Sequence, residues 1–302
     1  MQAPIGPAAT PELVEAVAGA GGLGTLTASW TRVEDLRGQV RRLRSVLEVP
    51  FCVNLVLAFE QRKRLEAILD EGAPAVSFSW GIDAELIGQA RSAKAFVLVQ
   101  VGEPHDAAAA VAAGADALIV QGSEAGGHVQ AARPLDTLLE EIRGRVDVPL
   151  VAAGGICDPQ RVVDVLAAGA NAVACGTVFL AAEEANVHPI YLQHLVQASS
   201  ADTALVTVFD GGWRDAPHRV VRNETVDAWQ AADRPARGSR PGEHEQVATR
   251  NGRPVLRYDD AQPTRDTVGE IHLMALYAGT SVDALERSEP AASITKRLTS
   301  RL

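Results

Sequence analysis

What most restricts the fold of this chain is the regular alternation, through residues 1–200, of short apolar runs with amphipathic stretches. Runs rich in Val, Ile, Leu and Ala suit parallel strands buried on both faces, and the amphipathic stretches suit helices that cover them. Strands are read at residues 2–5, 22–27, 51–57, 75–79, 95–101, 117–121, 150–153 and 172–175. Helices are read at residues 11–19, 33–47, 60–70, 83–92, 106–113, 134–143, 159–168 and 188–198. Thr10-Pro11 and Asp158-Pro159 each place an N-cap residue before a proline at the first helical position, where a missing N–H is harmless. Two segments also repeat, Ala112-Ala113-Gly114-Ala115-Asp116-Ala117 and Ala167-Ala168-Gly169-Ala170-Asn171-Ala172. Each ends a helix on glycine, turns at a short polar side chain and enters a buried strand. Eight such units predict an α/β chain closed into a (β/α)₈ TIM barrel over residues 1–200, in preference to an open doubly wound sheet.

The alternation stops after residue 200, so residues 201–302 are expected to form a small C-terminal subdomain. Within it, residues 234–263 are dense in Pro, Gly, Arg and Glu and read as an irregular surface excursion. Residues 267–277 supply the apolar positions Val268, Ile271, Leu273, Met274 and Leu276 of an expected helix. A cap over the barrel mouth and a tail along the barrel's outside both fit this pattern.

Hydrophobic residues make up 47% of the 302, enough for a full core, since such barrels use about 250 residues as one domain. The formal charge of −10 argues against capture of nucleic acid or an anionic membrane, both of which need a basic footprint. Cys52, Cys157 and Cys175 form no Cys-x-x-Cys pair and are odd in number. Neither a disulfide framework nor a zinc site is expected, and a reducing cytoplasm fits best. The opening Met1-Gln2-Ala3-Pro4 shows no basic segment ahead of an apolar run, and no stretch of about 18 apolar residues follows, so a soluble, unprocessed chain is expected.

In barrels the chemistry sits at the C-terminal ends of the strands. The seventh expected strand ends in Ala153-Gly154-Gly155-Ile156 and the eighth in Ala174-Cys175-Gly176-Thr177. Glycines there let backbone N–H groups approach an anion, and the loops after the last two strands are the usual phosphate site of this architecture. Either glycine group alone would serve equally as a tight strand-to-helix turn. Their coincidence on the last two strands points to a phosphate-bearing ligand, with Gly154, Gly155 and Gly176 as candidate binding residues.

The sixth expected strand runs into Gln121-Gly122-Ser123-Glu124-Ala125-Gly126-Gly127-His128. Two glycines permit a bend that carries the His128 imidazole over the mouth, where a group titrating near pH 6.5 suits proton transfer. Ser123 and Glu124 are the expected partners that orient the ring, and His128 is the candidate catalytic base. His188 and His194 do not share a helix face, and His105, His218, His244 and His272 are expected to be solvated or satisfied locally, so no metal is expected. Asn54, inside an apolar strand, needs hydrogen-bond partners, which backbone or ligand groups would supply equally. Gly19-Ala20-Gly21-Gly22-Leu23-Gly24 precedes a strand where a dinucleotide fingerprint would follow one, and so reads as a helix stop and turn.

Taken together, several segments resemble the nitronate monooxygenase family, formerly called 2-nitropropane dioxygenases. They are Gln2-Ala3-Pro4, Thr10-Pro11-Glu12-Leu13 with residues 20–24, Val53-Asn54-Leu55, residues 121–128, residues 152–156 and Gly176-Thr177. The resemblance runs over nearly the whole chain, and its most specific element is Glu124-Ala125-Gly126-Gly127-His128. It implies an FMN-dependent barrel with a small second domain, which oxidises alkyl nitronates with O₂ to a carbonyl compound and nitrite. On this resemblance Asn54, Gln121, Gly126, Gly155, Ala174, Cys175, Gly176 and Thr177 would contact FMN, and Ala3 and Pro4 would lie against the isoalloxazine. His128 matches the family's catalytic histidine. The chain departs from the family pattern at Ile5, where Met is usual, and in opening directly on its first strand. The same motifs are similar to those of FMN-dependent enoyl-acyl carrier protein reductases and NADH:quinone reductases, which keeps NAD(P)H open as electron donor. A non-catalytic protein on a degraded barrel would not be expected to keep Gly154, Gly176 and His128 together. An apolar barrel exterior leaves pairing into a homodimer open.

Overall fold

The computed structural model describes residues 1–302. The barrel region contains β1 (Thr25–Thr27), β2 (Cys52–Val56), β3 (Ala75–Ser79), β4 (Phe96–Val101), β5 (Ala117–Gln121), the short β6 (Gly127–His128), β7 (Leu150–Ala153) and β8 (Ala172–Ala174). The helices are α1 (Pro11–Gly19), α2 (Val33–Val46), α3 (Arg62–Asp70), α4 (Ala84–Ser92), α5 (Pro104–Ala113), α6 (Leu135–Arg143) and α7 (Pro159–Ala167), with α8 (Pro189–Gln197) after the last barrel strand. Seven strands pair in parallel in the order β1-β2-β3-β4-β5-β7-β8. Residues 1–3 bridge the two edges. Gln2 N–H donates to Leu23 O at 2.9 Å beside β1, while Ala3 N–H donates to Cys175 O at 2.9 Å and Cys175 N–H to Met1 O at 3.0 Å beside β8. The expected TIM-barrel class is the fold observed. The strand expected at residues 2–5 contracts to one bridge between Gln2 and Cys175, because Pro4 has no N–H for a ladder and Gly6–Ala8 coils into a 3₁₀ turn.

Local chemistry accounts for the element ends. Thr10 Oγ1 accepts from Leu13 N–H at 3.0 Å, and the Asp158 carboxylate accepts from Gln160 and Arg161 N–H at 2.9 and 3.0 Å. The repeated segment does the same work twice. Gly114 and Gly169 follow α5 and α7 with φ of 106° and 109°. The Asp116 carboxylate then accepts from Val97 N–H at 2.8 Å, and Asn171 Oδ1 accepts from Leu150 N–H at 2.9 Å. Each side chain pins the start of a neighbouring strand, so the repeat sets strand register as well as the turn. Small residues such as Ala75, Ala117, Ala153 and Ala174 pack inside the ring, while the larger apolar cluster fills the layer between sheet and helices.

Beyond residue 200, β9 (Thr203–Val206) pairs antiparallel with β10 (His218–Val221), and β10 also pairs with β6, setting His218 opposite His128. After α9 (Glu224–Ala231) comes a second small sheet of β11 (Gln246–Arg250), β12 (Arg253–Leu256) and β13 (Thr267–Gly269). The span 234–263, read from composition as irregular, therefore contains a hairpin. Its turn is Asn251-Gly252, with φ of 51° and 72°, the paired positive values that a two-residue hairpin loop requires. The helix expected over residues 267–277 does not form. β13 pairs with β11 instead, and Gly269 approaches that strand so closely that a Cβ would lie 2.4 Å from Val247 O. Sheet pairing overrides the helical spacing of the apolar residues.

The chain then returns to the barrel. α10 (Ala291–Leu298) packs against α1 and α7 and takes the eighth place in the helical ring, whereas α8 packs against 3₁₀ turns at Ile271–Leu273 and Thr280–Ala284. No helix is long and apolar enough to cross a membrane.

Candidate active site

A cavity of about 500 Å³ opens at the C-terminal ends of the strands. Ala3, Pro4, Asn54, Gln121, Gly126, His128, Gly154, Gly155, Ala174, Cys175, Gly176 and Thr177 all line it, so the barrel brings together every site residue singled out in the sequence. Their local surroundings separate them into groups with different work to do.

After β7 the backbone turns through Gly154 and Gly155 with φ of 114° and 66°. The N–H groups of Gly155, Ile156 and Gly176 donate to no protein acceptor. Unpaired donors in the loops after the last two strands have the chemistry that suits an anion. Space is available there, since a Cβ at Gly176 would meet nothing nearer than Ile5 and Ala3 at 3.6 and 3.7 Å. Gly126 answers a different demand: a Cβ on it would lie 2.3 Å from Gly279 N, and one on Gly279 would lie 2.7 Å from Gly126 N. The two backbones pack directly on one another. Thr177 Oγ1 joins this clasp by accepting from Gly279 N–H at 2.9 Å.

His128 is held by its backbone. Gln121 Nε2 donates to His128 O at 3.3 Å, and Gln121 Oε1 accepts from Gln130 N–H at 2.9 Å. Gln130 Oε1 in turn accepts from Gln100 Nε2 at 2.7 Å and from Trp80 N–H at 3.2 Å. This chain of amides ties β4, β5 and the His128 segment into one unit. Asn54 Nδ2 is similarly committed, donating to Ser77 Oγ at 3.0 Å.

The imidazole itself is oriented by stacking. Its ring lies 4.3 Å from the Trp213 ring at 24°, with Tyr277 and Trp80 alongside at 5.6 and 6.2 Å. The partners expected to orient it are turned elsewhere. The Glu124 carboxylate accepts from Leu135 N–H at the start of α6 at 3.0 Å, and no side-chain hydrogen bond joins Ser123 to the ring, the Ser123 backbone carbonyl accepting from the Arg219 guanidinium at 2.9 Å. His128 Nε2 is buried and has no hydrogen-bond partner. Burial, with His218 nearby, drives the pKa of His128 down to about 3, so the ring is neutral at physiological pH.

His218, expected to be solvated or satisfied locally, is fully buried and satisfied. Its Nδ1 donates to Ala216 O at 2.9 Å and its Nε2 accepts from Phe209 N–H at 3.3 Å, which fixes a neutral tautomer. Desolvation pushes its pKa down to about 4. Sequence reasoning missed Trp30, Trp80, Trp213 and Tyr277, all of which line the cavity. Only Trp80-Gly81 carried a local signal, a turn directly after a strand, where Trp80 adopts φ of 60°.

A TIM barrel with free glycine N–H groups and a half-buried, neutral histidine at its C-terminal mouth is the architecture of an enzyme that acts on a small molecule. The sequence model of the nitronate monooxygenase family matches residues 1–63 and 56–301. The chain belongs to that family and is an oxidoreductase. It superimposes on nitroalkane oxidase from Streptomyces ansochromogenes with a TM-score of 0.79 and 30% identity, covering 100% of this chain and 94% of that one. FabK from Thermotoga maritima superimposes with a TM-score of 0.78 and 26% identity over 98% and 90% of the two chains. The chain is also 34% identical, over 242 residues, to the (3aS,4S,5R,7aS)-5-hydroxy-7a-methyl-1-oxo-octahydro-1H-indene-4-carboxyl-CoA dehydrogenase of Mycobacterium tuberculosis. That match takes in 79% of this chain and 66% of the relative's length.

Proposed function

We propose that this chain oxidises alkyl nitronates with O₂ to a carbonyl compound and nitrite, using FMN. The observation that carries the proposal is a neutral His128 with an unpartnered Nε2, on a cavity whose wall also offers free glycine N–H groups. The residues fit FMN: Gly155, Ile156 and Gly176 would hold its phosphate, and Ala3 and Pro4 would lie against its ring system. When bound, FMN supplies the electron transfer and the reactivity toward O₂.

The chain's own residues supply position and proton control. The amide chain from Gln100 through Gln130 to Gln121 fixes the His128 backbone, and Trp213 fixes its ring. A histidine with a pKa of about 3 is a weak base toward a neutral nitroalkane. It is better matched to a nitronate that arrives deprotonated, because an anion in the cavity raises the pKa of the imidazole and stabilises a proton on it. Trp80 and Trp213 cover the ring and limit the access of water.

The test is His128→Asn with flavin still bound, confirmed by its visible spectrum. Turnover of alkyl nitronates should drop by roughly 10²-fold or more, the usual scale for loss of a positioned acid or base. Unchanged turnover would remove His128 from the chemistry. Kinship with an enzyme named for a CoA thioester supports a second reading, in which flavin exchanges electrons between a pyridine nucleotide and a thioester, or in which NAD(P)H is the electron donor and an enoyl thioester or quinone the acceptor. Anaerobic mixing separates the two. Rapid flavin bleaching by NADH or NADPH marks the reductase, and bleaching only by a nitronate marks the monooxygenase.

A further inference from the structure

The chain is poor in aromatic residues, with only 6 Phe, 4 Trp and 3 Tyr among 302. Three of those tryptophans, Trp30, Trp80 and Trp213, nevertheless line the cavity. With Phe59 they form a continuous edge-to-face series: Trp30 to Phe59 at 5.7 Å, Phe59 to Trp213 at 5.1 Å, and Trp213 to Trp80 at 4.7 Å. The series ends on His128, which stacks against Trp213.

The indoles reach this place from distant parts of the chain, and two are held at some cost. Trp80 sits in the left-handed region, at φ of 60°, with its N–H tied to Gln130 Oε1. Trp213 is carried by Gly211 and Gly212, which lie so flat on Asp259 and Asp260 that a Cβ on either would come within 2.3 and 2.5 Å of those carboxylates. The same loop is anchored through Asp210, which pairs at 2.8 Å with the buried Arg240. Trp30, at the rim, remains 57% exposed. A packing cluster has no need to leave its largest side chain in water at the edge of a cavity, whereas a binding wall does.

We propose that this wall makes the enzyme selective for substrates whose reacting carbon carries a flat ring, favouring aryl nitronates over short-chain alkyl nitronates. This deepens the nitronate reading and rests on it. The three indoles line the cavity, and a ligand ring gains stacked or edge contacts with them that an alkyl chain does not. The ring would lie along Trp213 and Trp30, and the anionic head beside His128.

Phenylacetate and butyrate test this directly, because each is an unreactive anion with a planar head group and the heavy-atom skeleton of the nitronate of phenylnitromethane or of 1-nitropropane. Calorimetry on the flavin-loaded protein should show phenylacetate binding about tenfold or more tightly, with a similar preference in kcat/KM between the two nitronates. Trp213→Leu and Trp30→Leu should each bring the ratio to within about threefold, with circular dichroism confirming the fold. Trp30→Leu alters an exposed rim residue, so it remains informative if Trp213→Leu fails to fold. A wild-type ratio within that same narrow range, or a ratio that survives the substitutions in folded protein, overturns the inference. Turnover of both nitronates at equal efficiency, with equal binding of the two carboxylates, keeps the nitronate reading and removes the ring selectivity. Turnover of neither, with the carboxylate preference intact and lost in the variants, keeps the ring site and removes the nitronate reading.

Discussion

His128 and His218 face each other across the pairing of β6 and β10, both neutral, for different reasons. His218 has each nitrogen committed to the backbone, so a proton added to Nε2 would meet the Phe209 N–H. Its folded pKa of about 4 lies below the ordinary value near 6.5, and so the unfolded chain takes up this proton first as pH falls. The stability contribution is complete above about pH 6.5 and is lost progressively toward pH 4, amounting to roughly 3 kcal/mol. Tm measured from about pH 8 down to pH 4 should fall across that window, and His218→Gln should remove part of the slope. His128 has room to change state because its Nε2 is uncommitted. An anion beside it raises its pKa, so anion binding should take up a proton and tighten as pH falls. Calorimetric titration with butyrate in buffers of different ionisation enthalpy reads that uptake, which should vanish in His128→Asn.

At the level of elements, the site loops are clasped to the C-terminal segment by backbone packed on backbone. Gly126→Ala would drive a methyl into Gly279 N and Ala278 C, which backbone cannot relieve by a rotamer change. It should cost roughly 1–3 kcal/mol or more, as overpacking does. The adjacent Gly127→Ala meets nothing within 4 Å and suffers only from its φ of 71°, about 1–2 kcal/mol. Thermal melts of the two variants side by side check the contrast, and equal losses would show that the clasp is not the cause. Most elements from α1 to α7 were readable because several of their ends carry their own chemistry, as at Thr10, Gly114, Asp158 and Asn171. The β11–β12 hairpin carried such a signal too, in Asn251-Gly252, but Arg, Pro and Gly around it masked the strands. Trp213 had none, since its place depends on Gly211 and Gly212 meeting Asp259 and Asp260 far along the chain. The glycine loops of the site were legible as glycine placement on expected strand ends. Its aromatic wall was not, because tertiary packing alone assembles it.

Considered as a whole, the molecule is a barrel whose ring of helices is completed out of order. α8 leaves the ring to support residues 271–273 and 280–284, and α10 fills the gap between α7 and α1. Alternation along the sequence placed the eighth helix at residues 188–198, since nothing local marks a later segment as the true neighbour of α1. Ile294 is fully buried at this seam. Ile294→Ala should destabilise the entire barrel by about 2–5 kcal/mol, in a single cooperative transition followed by circular dichroism. A separate early transition confined to the C-terminal part would show that α10 is not integral to the ring. The arrangement also imposes an order on biosynthesis. A ribosome has released every strand of the barrel, and His128 with them, before residues 291–298 emerge. Until then the nascent ring stays open along α1 and α7, and the wall from Tyr277 to Ser281 is still arriving. The pocket therefore matures only after residues 277–298 have emerged, and a chain stalled before them would expose an unsealed apolar seam to the cell's chaperones in place of a half-working enzyme.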